Sequence, residues 1–386
     1  MTVREAFLRV MRFQPTDRVP NWEMGCWGQA VQRWVDEGLP PEHADEGHFG
    51  NPYLGTDKRA DLPVRLGPFP SLGGEVLEET DRHIVFRDDD GAVRKSLKEG
   101  TVRGCRLCMD QFISFAIETP RDFDQIKHHY DPASPERYPQ DLQALAASVA
   151  DRDYPLCPIN SAGGFGLYSQ ARRILGTEAT SYAWYDEPRA MHEMLDFFTD
   201  FLIETIRPVV AAIPCDYFNF WEDCCFRSSA LLSPTVFREF LLPRYRRIIA
   251  FLAEYGIDII WCDSDGCVSV LLPAFIEAGV TCTWPVEVVA GNDPLEIRRR
   301  YGHSIAMAGG IDKRALFGDK AAIRAEVMTK IPPLLEDGGF IPHIDGGPPP
   351  EIPYDNLLYY LELKADLLGA ELPVPVRERR AREAVR

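Results

Sequence analysis

From about residue 154 onward, short strand-like runs alternate with helical segments, and this alternation constrains the fold more than any other feature of the chain. The strand-like runs are short and apolar, whereas the helical segments repeat apolar residues every three or four positions. We predict strands at 156–160, 216–221, 258–262, 280–285, 304–308 and 340–344. We predict helices between them at 188–212, 234–255, 268–278, 294–301, 320–336 and 355–368. Repeated β-then-α units indicate parallel strands with helices packed outside them.

A closed barrel fits this alternation better than an open sheet. Several predicted strands end in polar or acidic residues, which would converge at one mouth of a barrel. An open doubly wound sheet would instead suggest a phosphate-binding glycine loop after its first strand, and the sequence has no motif of that kind. Gly163-Gly164-Phe165-Gly166 comes nearest, and we interpret it as a wall of the site. The predicted fold class is therefore α/β, a TIM-type (β/α)8 barrel.

The rest of the chain adds an insertion and a tail to this barrel. A helix at 4–12 leads into a first strand at 19–24. Within 51–98, two β runs at 75–86 and 92–97 flank an Asp-Gly turn, which predicts an N-terminal β-hairpin insertion covering part of the mouth. We expect residues 1–372 to form one domain and residues 373–386 to form a charged tail, either frayed or a solvated helix.

Charge and cysteine usage narrow the classes of partner. A net charge of −17 is a poor match for nucleic acid or for an anionic membrane surface. No stretch approaches the roughly 20 apolar residues that a membrane span needs, and no export signal is evident. Ten irregularly spaced cysteines indicate reduced thiols. We therefore expect a cytoplasmic protein acting on a small molecule, with a homodimer left open.

Three predicted strands end in residues that can carry chemistry. The first ends in Glu222 and Asp223, the second in Asp263-Ser264-Asp265-Gly266, and the third in His343-Ile344-Asp345. Because side chains alternate along a strand, Asp263 and Asp265 would face one side together, as would His343 and Asp345. The predicted catalytic residues are Asp223, Asp263, Asp265 and His343. The predicted substrate-binding residues are Trp22, Glu23, Trp221, Glu222, Trp261, Trp284 and Asp345.

Crowded carboxylates in a pocket walled by tryptophan have raised pKa values, which keeps a proton donor available near pH 7. The set Asp263, Asp265, His343 and Asp345 also offers oxygen and nitrogen ligands to a metal, although its spacing is not diagnostic. A purely structural alternative is that Ser264 or Asp265 caps the helix predicted at 268–278.

Short motifs occur in a fixed order along almost the whole chain. They are Asp17-Arg18-Val19-Pro20-Asn21-Trp22-Glu23, Arg172-Arg173-Ile174-Leu175-Gly176-Thr177-Glu178 with Tyr185-Asp186-Glu187-Pro188, Glu222-Asp223 followed by Leu231-Leu232-Ser233-Pro234, Asp263-Ser264-Asp265-Gly266, Gly309-Gly310-Ile311-Asp312-Lys313 and Pro353-Tyr354-Asp355-Asn356. In this order the chain resembles the uroporphyrinogen decarboxylase superfamily, in particular its branch related to methylcobamide-dependent methyltransferases. The resemblance implies the barrel and leaves the reaction open.

The chain departs from both patterns of that superfamily. Uroporphyrinogen decarboxylases carry an arginine motif of the form R-Q-A-G-R-Y after the first strand, whereas residues 21–28 contain no arginine. An acidic mouth would also repel a substrate with eight carboxylates. Thiol-methylating members bind zinc through a His-x-Cys and a later Cys, and the matching positions here are Asp263, Asp265 and either Asp345 or Gly346. Loss of thiolates removes much of the preference for zinc.

The resemblance and the acidic strand ends together suggest a corrinoid-dependent methyltransferase or demethylase. It would act on a small methylated substrate or a tetrahydrofolate-type carrier, with a methylcobamide on a separate corrinoid protein. Asp263 and Asp265 would handle a proton or hold a metal, Glu222 and Asp223 would orient the substrate, and His343 with Asp345 would complete the site. The alternatives are a decarboxylase, of uroporphyrinogen or of a smaller aromatic or pyrrolic acid, and a non-catalytic ligand-binding barrel.

Overall fold

The computed structural model describes residues 1–45, 47, 50–161 and 164–384, so Gly163 of the predicted glycine-rich wall lies outside the described residues. Its strands are β1 (Ala60–Asp61), β2 (Val76–Glu79), β3 (His83–Arg87), β4 (Val93–Leu97), β5 (Gln111–Ser114), β6 (Leu156–Cys157), β7 (Phe218–Trp221), β8 (Ile260–Asp263), β9 (Cys282–Val286), β10 (Ala306–Ile311) and β11 (Phe340–Ile344). Its helices are α1 (Val3–Met11), α2 (Gly28–Asp36), α3 (Leu142–Ser148), α4 (Leu167–Leu175), α5 (Thr177–Asp186), α6 (Pro188–Ala212), α7 (Pro234–Val236), α8 (Leu242–Glu254), α9 (Leu272–Ala278), α10 (Pro294–Tyr301), α11 (Lys320–Asp337), α12 (Tyr354–Leu368) and α13 (Val374–Ala384).

The described strands form three sheets. Strands β7 to β11 make a five-stranded parallel sheet in the order β11-β10-β9-β8-β7, and β1 pairs in parallel with β6. A four-stranded antiparallel sheet has the order β2-β3-β4-β5. The predicted α/β class is confirmed, and the strand pairing by itself does not close a barrel.

Alternation along the parallel strands separates an inner from an outer layer. Trp261 on β8 contacts the rings of Trp22 and Trp284, whereas its neighbour Cys262 faces the other side. On β7, Phe220 packs against Tyr245 of α8, 4.2 Å between ring centroids. The outward residues therefore pack against helices, and the inward residues form an aromatic core between the strands.

The antiparallel sheet is larger than the predicted hairpin. Strands β3 and β4 pair around the turn that ends in Gly91, which has the positive φ of +88° that such a turn favours. The run predicted at 75–86 contains two strands, β2 and β3, and β5 adds a fourth. Strand β1, within the range 51–98, was not predicted, because two residues carry no periodic signal.

The first predicted strand is wrong as a paired strand. Residues 19–24 are extended, but Pro20 lacks an N–H, and the segment is held by isolated hydrogen bonds on either side. The backbone N–H of Asp57 donates to Asn21 O at 2.9 Å, and the N–H of Ile344 donates to the Glu23 carboxylate at 3.1 Å. The segment therefore lies between the start of β1 and the end of β11.

Two helices also differ from prediction. Helix α9 begins at Leu272, too far along the chain for Ser264 or Asp265 to cap it, so the capping alternative is wrong. The C-terminal tail forms α13, whose Val376 is buried and whose Arg379 and Arg380 pair with Glu362 of α12. Ion pairs thus dock a helix that lacks a broad apolar face. Among the described residues, no helix is long and apolar enough to cross a membrane.

Candidate active site

The carboxyl ends of β7 to β11 lie along one edge of the parallel sheet, and charged residues follow them. We call this set the mouth cluster: Asp223, Asp263, Asp265, Glu287, Lys313 and Asp345. Parallel strands all end at the same edge, so residues far apart in sequence gather there. Glu287 and Lys313 were not predicted, although Glu287 directly follows the end of β9 and Lys313 ends the Gly309–Lys313 motif.

Asp263 is an unusual member of the mouth cluster. It ends β8 and is 6% exposed, yet no residue in the described part of the chain donates a hydrogen bond to its carboxyl. Burial holds the pKa of Asp263 well above its ordinary value, the charges of Asp265 and Asp223 raise this pKa further, and Arg59 opposes the shift. Burial and the neighbouring carboxylates therefore favour the protonated form of Asp263.

Asp265 faces the same space, as alternation along the strand predicts. Its side chain is exposed, yet burial among surrounding protein, with the charges of Glu287 and Asp223, raises its pKa to about 6. Asp265 is therefore an accessible acid beside Asp263 and Asp223. Gly266 turns the chain with φ +85° and donates its N–H to Glu287 Oε2 at 2.7 Å, while a Cβ at Gly266 would lie 2.6 Å from the Phe226 carbonyl oxygen.

Asp345 joins the loops that follow β9 and β10. Its side chain is fully buried and accepts the backbone N–H groups of Val289 and Lys313, each at 3.1 Å. The Lys313 ammonium lies 3.9 Å from Asp345 Oδ1 and 3.6 Å from Glu287 Oε1. Asp345, which was predicted to contact substrate, thus also holds these two loops together. The Lys313 ammonium lies between the carboxylates of Glu287 and Asp345.

His343 lies in the wall of the site. Its Nδ1 is 2.7 Å from Ile344 O, and because a carbonyl only accepts, Nδ1 carries the hydrogen and Nε2 carries the lone pair. Burial lowers the pKa of His343 to about 3, so the ring is neutral. It packs edge-on against Trp284, 6.2 Å between ring centroids.

Three of the four predicted tryptophans form a floor beneath Asp263. Trp261 lies 6.2 Å from Trp22 and 5.6 Å from Trp284, measured between ring centroids. Trp284 is fixed by its Nε1–H, which donates to Asn219 Oδ1 at 2.7 Å. Trp221 is apart from this floor and lies under the Arg173 guanidinium.

Two further residues of the site, Arg59 immediately before β1 and Asp61 on β1, were not predicted from the sequence. The Arg59 guanidinium lies 5.5 Å from the Trp22 ring centroid and 5.3 Å from that of Trp284. Asp61 accepts hydrogen bonds from the backbone N–H and the hydroxyl of Ser161, both at 2.8 Å, and its side chain is exposed. Burial among surrounding protein raises the pKa of Asp61, as at Asp265.

Two predicted substrate-binding carboxylates are engaged elsewhere. Glu222 lies beneath the first turn of α4, where its oxygens accept the N–H groups of Leu167, Tyr168 and Ser169 at 2.8, 2.9 and 3.2 Å and the Tyr245 hydroxyl at 2.7 Å. Burial raises the pKa of Glu222 to about 7. The four donors oppose this shift, because hydrogen bonds to the carboxylate favour its charged form. The fully engaged carboxylate anchors α4 and is closed to substrate.

Glu23 forms a buried ion pair with Lys364 of α12 and accepts the Ile344 N–H. This pair ties the extended segment 19–24 to α12 and to the end of β11. The structure therefore gives Glu23 a structural role in place of the predicted substrate contact.

Asp223 remains at the mouth, where its carboxylate pairs with Arg172 at 2.5 Å. Its backbone has φ +33°, in the left-handed region that non-glycine residues rarely adopt. The strained turn directs Asp223 towards the space shared with Asp263 and Asp265, whose pKa values it raises.

The predicted metal ligands are not assembled into a metal-binding group. Across the described residues, no three His, Cys, Asp or Glu side chains are placed to hold an ion. His343 packs in the tryptophan wall, and Asp345 is occupied by two backbone donors.

A separate cavity of about 580 Å³ lies between the antiparallel sheet and the ends of β1 and β6. Its lining includes Arg65, Asp89, Asp90, Asn160 and Arg173. Among the described residues, none of the mouth cluster lines this cavity, so it is distinct from the space around Asp263.

The family model for uroporphyrinogen decarboxylase (URO-D) matches residues 113–365, so the chain belongs to this family. A uroporphyrinogen decarboxylase of Xanthomonas campestris pv. campestris (strain B100) is 24% identical over 351 residues, covering 85% of this chain and 86% of that protein. The Danio rerio uroporphyrinogen decarboxylase is 25% identical over 389 residues, covering 93% and 92%. A methyltransferase from Methanosarcina mazei matches with a TM-score of 0.59 at 18% identity, covering 95% of this chain and 99% of that one, which establishes similarity of fold.

Proposed function

We propose that the chain is an enzyme that removes a methyl group from a small methylated substrate and transfers it to a corrinoid on a separate protein. The observation that carries the proposal is Asp263, a buried acid at the carboxyl end of β8 that receives no side-chain hydrogen bond from a described residue and whose pKa is raised by burial. Demethylating an ether or an amine breaks a carbon–heteroatom bond, and the departing heteroatom needs a proton. The zinc-thiolate alternative for activating such a substrate lacks its ligands here.

The residues of the chain account for the movement of the proton. Asp263 holds a proton and donates it to the departing oxygen or nitrogen as its bond to the methyl carbon breaks. The resulting Asp263 carboxylate is stabilised by the nearby charge of Arg59. Asp265, accessible and with a pKa of about 6, then returns a proton from solvent. The corrinoid would supply the nucleophile that accepts the methyl group.

The rim of the site offers apolar surface to such a partner. Trp27, 39% exposed, lies beside Gly347 after β11, and Phe226, 65% exposed, lies beside Gly266 after β8. Exposed aromatic residues around a concave site are typical of interaction surfaces. The alternative methyl carrier is of the tetrahydrofolate type, and it would reach the site through the same opening as the corrinoid.

The test is a methyl-transfer assay with the purified chain. It would be incubated with methylcobalamin, and separately with corrinoid proteins and small methylated ethers and amines, while loss of the methyl group is followed by absorbance and mass spectrometry. Transfer that depends on the chain supports the proposal. Absence of transfer with every corrinoid source contradicts it.

A decarboxylase is the second candidate, and the names of the curated relatives favour it. There the bond to the carboxyl carbon would break, carbon dioxide would leave, and Asp263 would protonate the remaining carbon. Release of labelled carbon dioxide without corrinoid would support this reaction. Tight ligand retention without turnover, unchanged by Asp265→Asn, would instead support a non-catalytic binding barrel.

We also propose that residues 1–372 form one closed TIM-type (β/α)8 barrel. The extended segment 19–24, bonded towards both β1 and β11, would take the place of an eighth strand beside the seven parallel ones. Between β6 and β7, the backbone N–H of Asp216 donates to Leu156 O at 2.9 Å. The antiparallel sheet β2 to β5 would then be the insertion near the mouth.

A further inference from the structure

We infer that the cavity of about 580 Å³ between the antiparallel sheet and the ends of β1 and β6 is a second binding site, which takes a small zwitterion with an ammonium group and a carboxylate. Its volume is within the range of small-molecule sites, about 300–1,000 Å³. The inference does not rest on the proposed function, because no described residue of the mouth cluster lines this cavity.

The turn between β3 and β4 presents one carboxylate to the cavity. Three aspartates follow one another in this turn, and the protein engages the first two. Asp88 accepts the backbone N–H of Asp90 at 3.1 Å and pairs with Arg94. Asp89 accepts the Ser71 hydroxyl at 2.9 Å. The half-buried carboxyl of Asp90 lines the cavity and has no hydrogen bond or ion pair with a described residue.

Packing holds this turn in place before any ligand binds. A Cβ at Gly91 would lie 2.9 Å from the Cβ of Ala116 and 3.2 Å from that of Leu72, and the Leu72 N–H donates to Asp89 O at 3.0 Å. Burial raises the pKa of Asp90, although the charge of Arg173 opposes the shift. An ammonium group would supply the hydrogen bonds that the Asp90 carboxylate lacks, at little cost in ordering the turn.

A guanidinium lines the same cavity. Arg65 is exposed, and its side chain has no hydrogen bond or ion pair with a described residue. Its backbone is fixed by Arg137, because the Arg65 N–H donates to Arg137 O at 2.9 Å and Arg65 O accepts from Arg137 Nη1 at 3.1 Å. The buried Arg137 also donates to the carbonyls of Gly67 and His129, so it builds the wall. Arg65 can therefore bind a carboxylate through two parallel hydrogen bonds.

The whole lining favours a ligand with balanced charges. Its described ionic side chains are three acids and three arginines, namely Asp89, Asp90, Glu136, Arg65, Arg137 and Arg173. The lining is thus neutral in a chain with a net charge of −17. Leu66, Pro68 and Phe69 add apolar surface for the hydrocarbon part of the ligand. A ligand with a single charge would leave either Asp90 or Arg65 without a partner.

The test compares phenylalanine with 2-phenylethylamine and 3-phenylpropanoate, two analogues that each lack one of its charges. Isothermal titration calorimetry at neutral pH would measure all three ligands on the wild-type chain, on Asp90→Asn and on Arg65→Gln. Asp81→Asn and Arg82→Gln are matched controls, because both residues are exposed at the opposite end of β3.

We expect the wild type and both controls to bind phenylalanine at least about tenfold more tightly than either analogue, as charged hydrogen bonds provide. Asp90→Asn should bind phenylalanine no more tightly than 3-phenylpropanoate. Arg65→Gln should bind it no more tightly than 2-phenylethylamine. Asp263→Asn should leave all three affinities unchanged, since Asp263 does not line this cavity.

Equal affinities for the three ligands in the wild type, or no measurable binding at millimolar concentration, would overturn the inference. So would a preference for phenylalanine that persists unchanged in either cavity variant or is lost in Asp263→Asn. Neither cavity substitution removes a described side-chain hydrogen bond, so both variants should fold, and Asp90→Ser carries the same test if Asp90→Asn does not. The assay contains no corrinoid, so its outcome is independent of methyl transfer.

Discussion

Glu222 directly follows β7 and Asp263 ends the neighbouring parallel strand β8, and both are buried carboxyl groups whose pKa values burial raises. Their surroundings differ completely. Four donors occupy the oxygens of Glu222, whereas no described residue donates to the carboxyl of Asp263. Burial and a raised pKa are therefore common to both acids, and the supply of hydrogen-bond donors is what separates them.

The difference also has a physical cost. A buried polar group without a partner loses its hydration and gains little in return, so it persists only where something else fills its hydrogen-bonding capacity. At Glu222 the protein itself fills it. At Asp263 we infer that the substrate does.

The largest effect should follow from Asp263→Asn, which replaces the protonated acid by a neutral group of the same shape. We expect the rate of methyl transfer to fall by about 10²- to 10⁴-fold, the usual contribution of a general acid. Stability should change by less than about 1 kcal/mol, since no described hydrogen bond to the side chain is lost. Single-turnover kinetics and urea unfolding would measure the two effects.

Asp258→Asn is the matched control for this variant. Asp258 precedes β8 at the opposite end of the strand and makes a solvent-exposed pair with Arg12. It should leave the rate unchanged. A full rate in Asp263→Asn would remove Asp263 from the mechanism and break the contrast with Glu222.

The converse prediction concerns Glu222→Ala, which would leave three backbone N–H groups and the Tyr245 hydroxyl without their acceptor. We expect the free energy of unfolding to fall by about 3 kcal/mol. Glu254→Ala, at an exposed position on α8, should cost less than about 0.5 kcal/mol. Urea denaturation followed by circular dichroism would measure both, and an unchanged midpoint for Glu222→Ala would show that α4 does not depend on this anchor.

A smaller effect is expected at the turn that places Asp265. Gly266→Ala puts a Cβ 2.6 Å from the Phe226 carbonyl oxygen in a backbone with φ +85°, and we expect it to cost about 2 kcal/mol of stability. Gly256→Ala separates the cost of the positive φ from the cost of the steric contact, because Gly256 has φ +76° and no atom lies within 4 Å of the added Cβ. It should cost only about 1 kcal/mol, the backbone term alone. Equal losses of thermal stability would show that the contact with Phe226 is relieved by movement.

The contrast between Glu222 and Asp263 also marks what the sequence could predict. Periodicity was sufficient for the long helices, since their patterns extend over many residues, and the short apolar run was sufficient for β11. The strand-end acids were predicted as a group, because position after a strand is a local property. The engagement of Glu222 by four donors was not predicted, since those donors come from α4 and α8.

Arg59 and Asp61 were missed for a related reason. Strand β1 has two residues, too few for alternation, and it lies within the range 51–98 that otherwise predicts a hairpin. Its importance arises from pairing with β6, nearly a hundred residues later, which no local pattern records. The buried pair of Glu23 with Lys364 likewise joins the two ends of the chain.

Asp265→Asn would sharpen the comparison by changing the environment of Asp263 and leaving its carboxyl in place. Asp263 must be protonated to act as an acid, so the rate should be highest below its pKa and should fall as the pH rises through that value. The negative charge of Asp265 raises the pKa of Asp263, and its removal should lower that pKa. The fall in rate should therefore begin at lower pH. If Asp265 also returns a proton from solvent to Asp263, the variant should lose several-fold in rate at neutral pH. Measurement of kcat against pH would test this, and a fall that stayed in place or moved to higher pH would show that a different group donates the proton.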